Sequence, residues 1–194
     1  IVWHKSETIP ADTKLLVVAG GFSYGDYLRS GAIAKFSPIM KALHAYANSG
    51  GKILGICNGF QVLTEAGLLP GALKRNENLH FISKHHNLKV INNDNAFLEE
   101  LNNGDVVNIP IAHHDGNYFI DSDGLKELES NNQILLKYTD KNGVIHNPNG
   151  SVESIAGVCN KEKNIFGLMP HPERAMELVL GSDDGIKMLQ GLIK

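Results

Sequence analysis

Cys57 lies in a run, Gly55-Ile56-Cys57-Asn58-Gly59-Phe60-Gln61, whose spacing suits nucleophilic chemistry. A short apolar stretch, Lys52–Ile56, precedes it, and a helical pattern over residues 59–66 follows. That is the strand-turn-helix setting of a nucleophile elbow, with Cys in place of Ser in G-x-S-x-G. Glycines two residues before and two after let the backbone turn sharply and keep side chains clear. The thiol then stands at the carboxyl end of a strand, beside a helix N-terminus whose partial positive charge favours thiolate. A free cysteine is more often a small buried hydrophobe. Cys159, in Ala156-Gly157-Val158-Cys159, lacks the elbow setting and reads as structural.

A thiol nucleophile needs a base, and the base needs a group that holds its tautomer. Gly167-Leu168-Met169-Pro170-His171-Pro172-Glu173 offers both. Prolines on either side confine the backbone of His171. In extended backbone, His171 and Glu173 project to the same side. The carboxylate then accepts from one imidazole nitrogen while the other faces the thiol. Taken alone, the same residues fit a surface histidine in a proline-rich turn, with Glu173 opening a helix where an acid suits the dipole. Ala19-Gly20-Gly21 follows another buried-type run. The amide of Gly21, with that of Asn58, can receive the oxyanion of a tetrahedral intermediate, although a plain glycine turn fits the two glycines equally well.

The elements that must position these groups alternate in type. Leu15–Val18 and Lys52–Ile56 are buried-type strands, and the helix between them starts at Ser37-Pro38 and stops at Gly50-Gly51. This alternation predicts a doubly wound, mostly parallel α/β sheet in the first third. Residues 79–120 are richer in strand candidates: Leu88–Ile91, Val106–Ile109 and Tyr118–Ile120. They point to an antiparallel extension. Ser122 or Asp123 is the expected cap of a helix through Leu128, and Ile134–Tyr138, Ser154–Val158 and Ile165–Leu168 are further strands. Glu173–Leu180 and Asp183–Ile193 are expected helices. No repeat or linker divides residues 1–194, which read as one domain.

A net charge of -3 with scattered Lys and Arg argues against a nucleic-acid-binding surface. No apolar run approaches the roughly 18–20 residues of a membrane span. Two cysteines in unlike contexts do not make a disulfide framework, so a reducing cytoplasm is the expected location. His85-His86 and His113-His114 would diverge in a strand, and no zinc-type Cys/His spacing occurs, so no metal site is expected. Nor is there a G-x-x-x-x-G-K-[ST] loop for nucleotide phosphates.

Gly20-Gly21-Phe22-Ser23-Tyr24-Gly25-Asp26-Tyr27-Leu28-Arg29, the Cys57 run and Met169-Pro170-His171-Pro172-Glu173-Arg174 together resemble one family. It is the glutaminase subunit of phosphoribosylformylglycinamidine synthase, a class I (triad) glutamine amidotransferase. Leu68-Leu69-Pro70-Gly71-Ala72 and Gly150-Ser151 are similar too, so the likeness runs nearly end to end. The elbow and the His-x-Glu pair alone would indicate only class I amidotransferases; the run from Gly20 to Arg29 narrows the choice.

The resemblance implies a flavodoxin-like α/β fold, with a further strand and helix ahead of residue 1. It implies Cys57 as nucleophile, His171 and Glu173 completing the triad, Gly21 and Asn58 as oxyanion donors, and Gln61 helping to bind glutamine. No cofactor is implied on this chain. ATP and Mg are expected on a large synthase subunit, accompanied by a small accessory subunit, which would use the ammonia to convert formylglycinamide ribonucleotide to its amidine. Ser30 stands where members of that family often carry Cys. The rival is a stand-alone triad hydrolase such as a γ-glutamyl peptidase.

Overall fold

A computed structural model describes residues 1–193. In chain order its elements are β1 (Leu15–Val18), α1 (Ile39–Asn48), β2 (Lys52–Ile56), α2 (Asn58–Glu65), β3 (Ala72–Lys74), β4 (Ile82–Val90) and β5 (Val106–His113). They continue with β6 (Asn117–Phe119), α3 (Ser122–Ser130), β7 (Ile134–Thr139), β8 (Ile155–Cys159), β9 (Ile165–Leu168) and α4 (Asp184–Gln190). Seven strands form one mixed sheet in the order β1-β2-β9-β8-β7-β4-β5, and β3 pairs with β6 in a small second sheet.

The expected α/β architecture is present, with its two parts unequal in size. The pairings β1–β2 and β2–β9 are parallel, whereas β9–β8, β8–β7, β7–β4 and β4–β5 are antiparallel. Pro110 is tolerated in β5 because that strand forms the sheet edge. Its carbonyl accepts the amide of His171 at 2.8 Å, which ties the edge to the loop after β9.

Every residue of α2 from Asn58 to Thr64 is buried. Phe60 and Leu63 are fully enclosed, each worth about 1.5–3 kcal/mol in removed apolar surface. Two glycines allow this close seat. A Cβ on Gly59 would lie 1.8 Å from the carbonyl oxygen of Val18, and one on Gly55 would lie 2.5 Å from Leu63 Cδ1. The start of α2 therefore rests directly on the end of β1.

Two local expectations are corrected. The cap of α3 is Asp121, one residue earlier than expected, whose carboxylate accepts the amide of Gly124 at 2.8 Å. Glu173–Leu180 is not a helix but two 3₁₀ turns, Pro172–Arg174 and Leu178–Leu180. A helix there has no apolar stripe to bury: Leu178, Val179 and Leu180 are all exposed. The carbonyl of Ala175 is taken by the amide of Gly185 as α4 packs against the first turn.

Candidate active site

The parallel strands β1, β2 and β9 are neighbours in register, Val18 beside Gly55 and Ile56 beside Leu168. Their carboxyl ends thus deliver three loops to one place, where ligand sites of open α/β sheets gather. The first loop brings Gly20-Gly21, the second Cys57 and the third His171.

Cys57 has φ 51° and ψ −107° at the N-cap of α2. A non-glycine residue at positive φ costs about 1–3 kcal/mol and is held there only by its surroundings. Here the Cys57 amide donates to the carbonyl of Leu168 at 2.8 Å, and Gln61 N–H returns to the Cys57 carbonyl. The sulfur faces the carbonyl oxygen of Ala112 at 3.7 Å, a contact that suits S–H.

Burial pushes the Cys57 thiol up to about 11. The amide of Asn58 and the charge of Arg174 act the other way, while Glu173 and Asp26 add to the rise. The helix N-terminus therefore does not make a resting thiolate. Two units of pKa correspond to about 2.7 kcal/mol, more than the roughly 0.3–1 kcal/mol that a helix end ordinarily supplies.

His171 is 1% exposed, and its Nδ1 lies 2.7 Å from Glu173 Oε1. In the neutral ring this places the proton on Nδ1 and leaves Nε2 as the free base. That nitrogen is buried without a hydrogen-bond partner among the described residues. The pair forms although Glu173 sits in a 3₁₀ turn rather than in extended backbone. A Cβ on Gly20 would lie 3.0 Å from His171 Cε1 and 3.5 Å from Cys57 Cβ. Gly20 therefore fills the space beside both groups, a role that the sequence alone did not suggest.

These residues open onto a cavity of about 180 Å³, lined by Gly20, Gly21, Cys57, Gln61, His113 and His171 among others. Larger hollows occur elsewhere, one of about 770 Å³ against α3, but it holds none of the candidate residues. The Asn58 amide points to the sulfur, as its effect on the thiol records. Gly21 lines the cavity, with nothing within 4 Å of an added Cβ. Gln61 is engaged at both ends: its oxygen accepts from Asn58 Nδ2 at 2.8 Å and its Nε2 donates to the carbonyl of Asp115 at 2.7 Å. Its direct contribution is thus to join the elbow to the loop after β5.

Residues 4–184 match the model of the CobB/CobQ-like glutamine amidotransferase domain. The chain belongs to that family. It is 78% identical over 194 residues to the phosphoribosylformylglycinamidine synthase subunit PurQ of Sulfurimonas denitrificans, covering 100% of this chain and 87% of that one. The corresponding protein of Wolinella succinogenes is 66% identical over 192 residues, at 99% and 86% coverage. Among solved structures, PurLQS from Thermotoga maritima superposes with a TM-score of 0.84 at 44% identity, over 94% of this chain and 80% of that chain.

Other residues lining this cavity escaped sequence reading. His113 closes the buried face of β5 after Val107, Ile109 and Ile111, and that period-2 alternation was the available signal. Asn76 Nδ2 donates to the carbonyls of His80 and His113, and its Oδ1 accepts the amide of Gly116. The amide orientation is therefore fixed, and His113 Nδ1, 3.1 Å from that oxygen, must be the donor. Burial, helped by the charge of His171, lowers His113 to about 4. The neutral ring presents a bare Nε2, buried and without a partner among the described residues. Asp26, Ser30, Asp115 and Arg174 also line the cavity.

Proposed function

We propose that this chain hydrolyses glutamine at Cys57 and supplies the ammonia to a phosphoribosylformylglycinamidine synthase. The observation that carries this reading is Cys57 at positive φ, sharing one small cavity with His171, whose Nδ1 is engaged by Glu173. His171 Nε2 takes the thiol proton as sulfur attacks the side-chain amide carbon. The oxyanion is received by the amides of Gly21 and Asn58. Collapse breaks the C–N bond, and His171 returns the proton to the leaving ammonia. Water then attacks the γ-glutamyl thioester with His171 as base, releasing glutamate and restoring the thiol, while Glu173 holds the ring throughout.

Names of the relatives support the acceptor: each of those cited is a synthase subunit, and this chain spans most of its length. ATP and formylglycinamide ribonucleotide bind on the large subunit in this reading, a small accessory subunit completes the complex, and the assembly works in the cytoplasm. A γ-glutamyl peptidase would need room beyond glutamine. The cavity of about 180 Å³ is smaller than the roughly 300–1,000 Å³ of pockets for drug-sized ligands.

The test is Cys57→Ser in the assembled synthase, a change of one atom at the elbow. Amidine formation from glutamine should fall by several orders of magnitude, as loss of a triad nucleophile does elsewhere (about 10⁶ in one protease). Formation from added ammonium salt should survive. Retained glutamine-dependent activity would place the nucleophile elsewhere.

A further inference from the structure

One wall of the cavity is rich in acceptors. Ser30, 3% exposed, donates its hydroxyl to Asp115 Oδ2 at 2.9 Å. The same hydroxyl also acts on the Asp26 carboxyl, which it lowers, while its hydrogen bond goes to Asp115. A hydroxyl carries one proton, so it satisfies one of these two carboxylates and leaves the other short. Among the described residues, Asp26 otherwise receives only a long contact from Asn58 Nδ2 at 3.5 Å. Asp115 faces His114 Nδ1 at 2.9 Å, and Arg75 comes no nearer than 4.0 Å. Burial raises the Asp26 carboxyl, and the charge of Asp115 adds to that rise. Two like charges are thus brought together on one wall of the cavity.

An independent feature points the same way. His113 Nε2, on a ring 2% exposed, is a bare acceptor lining the same cavity. Acceptors outnumber donors, so the occupant must bring N–H groups. Arg174 is the cation lining this cavity. An α-amino acid matches that polarity: three ammonium donors toward the aspartates and a carboxylate for a cation.

We propose that, given the glutaminase function above, Asp26 and Asp115 bracket the α-ammonium of glutamine across Ser30 and make that group a requirement for efficient turnover. The two aspartates act as specificity-determining residues, and they select free glutamine over amides without the amino group.

The test compares glutamine with glutaramate, the same molecule without its α-amine, on the complex of this chain with its synthase partner. Wild type should favour glutamine in kcat/KM by about 10- to 100-fold, the range of charge-assisted hydrogen bonds. Asp26→Asn and Asp115→Asn should each cut that ratio about tenfold or more, through a higher KM for glutamine, with glutaramate kinetics little changed. Asp115→Glu, which keeps the charge, should retain more of the preference than Asp115→Asn. Iodoacetamide carries no ammonium and should label Cys57 of the folded variants no more slowly than wild type. An undiminished ratio in both Asn variants, or equal losses on the two substrates, overturns the proposal. A wild-type complex inert toward glutamine would instead remove the substrate assignment itself, and the proposal with it.

Discussion

Alkylation of Cys57 by iodoacetamide offers a direct test of how burial and the helix terminus compete at the elbow. The thiol is pushed up to about 11, so at pH 7 about one molecule in 10⁴ carries thiolate. Relative to an ordinary thiol near 9, the thiolate population falls about 100-fold, and the greater nucleophilicity of a less acidic thiol returns roughly tenfold. A deficit of about tenfold remains before restricted access is counted. The second-order rate at Cys57, followed by peptide mass spectrometry from pH 6 to 10 without glutamine, should rise about tenfold per pH unit up to pH 9. Cys159, buried and also pushed up to about 11 but outside the cavity, is the internal control and should remain unlabelled. A rate plateau already present at pH 6–7 would refute the reasoning. It would mean that Cys57 and His171 form a thiolate–imidazolium pair before substrate arrives, with sulfur turned away from the Ala112 carbonyl.

Two further outcomes follow from the geometry. Gly20→Ala places a methyl 3.0 Å from His171 Cε1; since His171 is pinned by Glu173 and Pro110, glutaminase kcat should drop by about 10²-fold, the cost of a small misplacement, and an unchanged kcat would show that the ring yields freely. For His113, lowered to about 4 from 6.5, the unfolded chain gains a proton that the native state refuses, so stability is lost as pH falls from 6.5 to 4, by roughly 3 kcal/mol in all. Urea unfolding of His113→Gln should show a shallower dependence in that window, by up to about 1.4 kcal/mol per pH unit, and equal slopes would place the charge-sensitive group elsewhere.

Much of the frame was legible because its signals are local. Apolar runs named β1, β2, β7, β8 and β9 to within a residue or two, since each is bounded by turn residues; β1, expected to be buried, is instead an edge strand with Val17 exposed. The glycines around Cys57 marked the elbow correctly, but for a partial reason. They were read as allowing a sharp turn, whereas Cys57 itself adopts the positive φ and the glycines provide close approach, Gly59 to Val18 and Gly55 to Leu63. Glu173–Leu180 misled because its aliphatic residues have helical composition. What decides that segment is the Glu177–Ser182 bridge and the docking of α4, both tertiary.

The site divides along the same line. Cys57, His171 and Glu173 were visible because a cysteine between flanking glycines and a histidine two residues from an acid are short-range patterns. The acceptor-rich wall was not, because its members come from separate segments: Ser30 and Asp115 are 85 residues apart, and His113 meets Asn76 across 37. No spacing rule joins them. Sheet order alone sets β1 and β5 at opposite edges; the bond from the His171 amide to the Pro110 carbonyl brings the end of β5 back to the loop after β9, and His113 with it. The elbow alone fits any thiol hydrolase, so the power to discriminate among substrates has to lie in these long-range partners. Substitutions that spare the proposed triad but alter this wall should therefore change which amide is cleaved, while those at Cys57 should change whether any amide is cleaved.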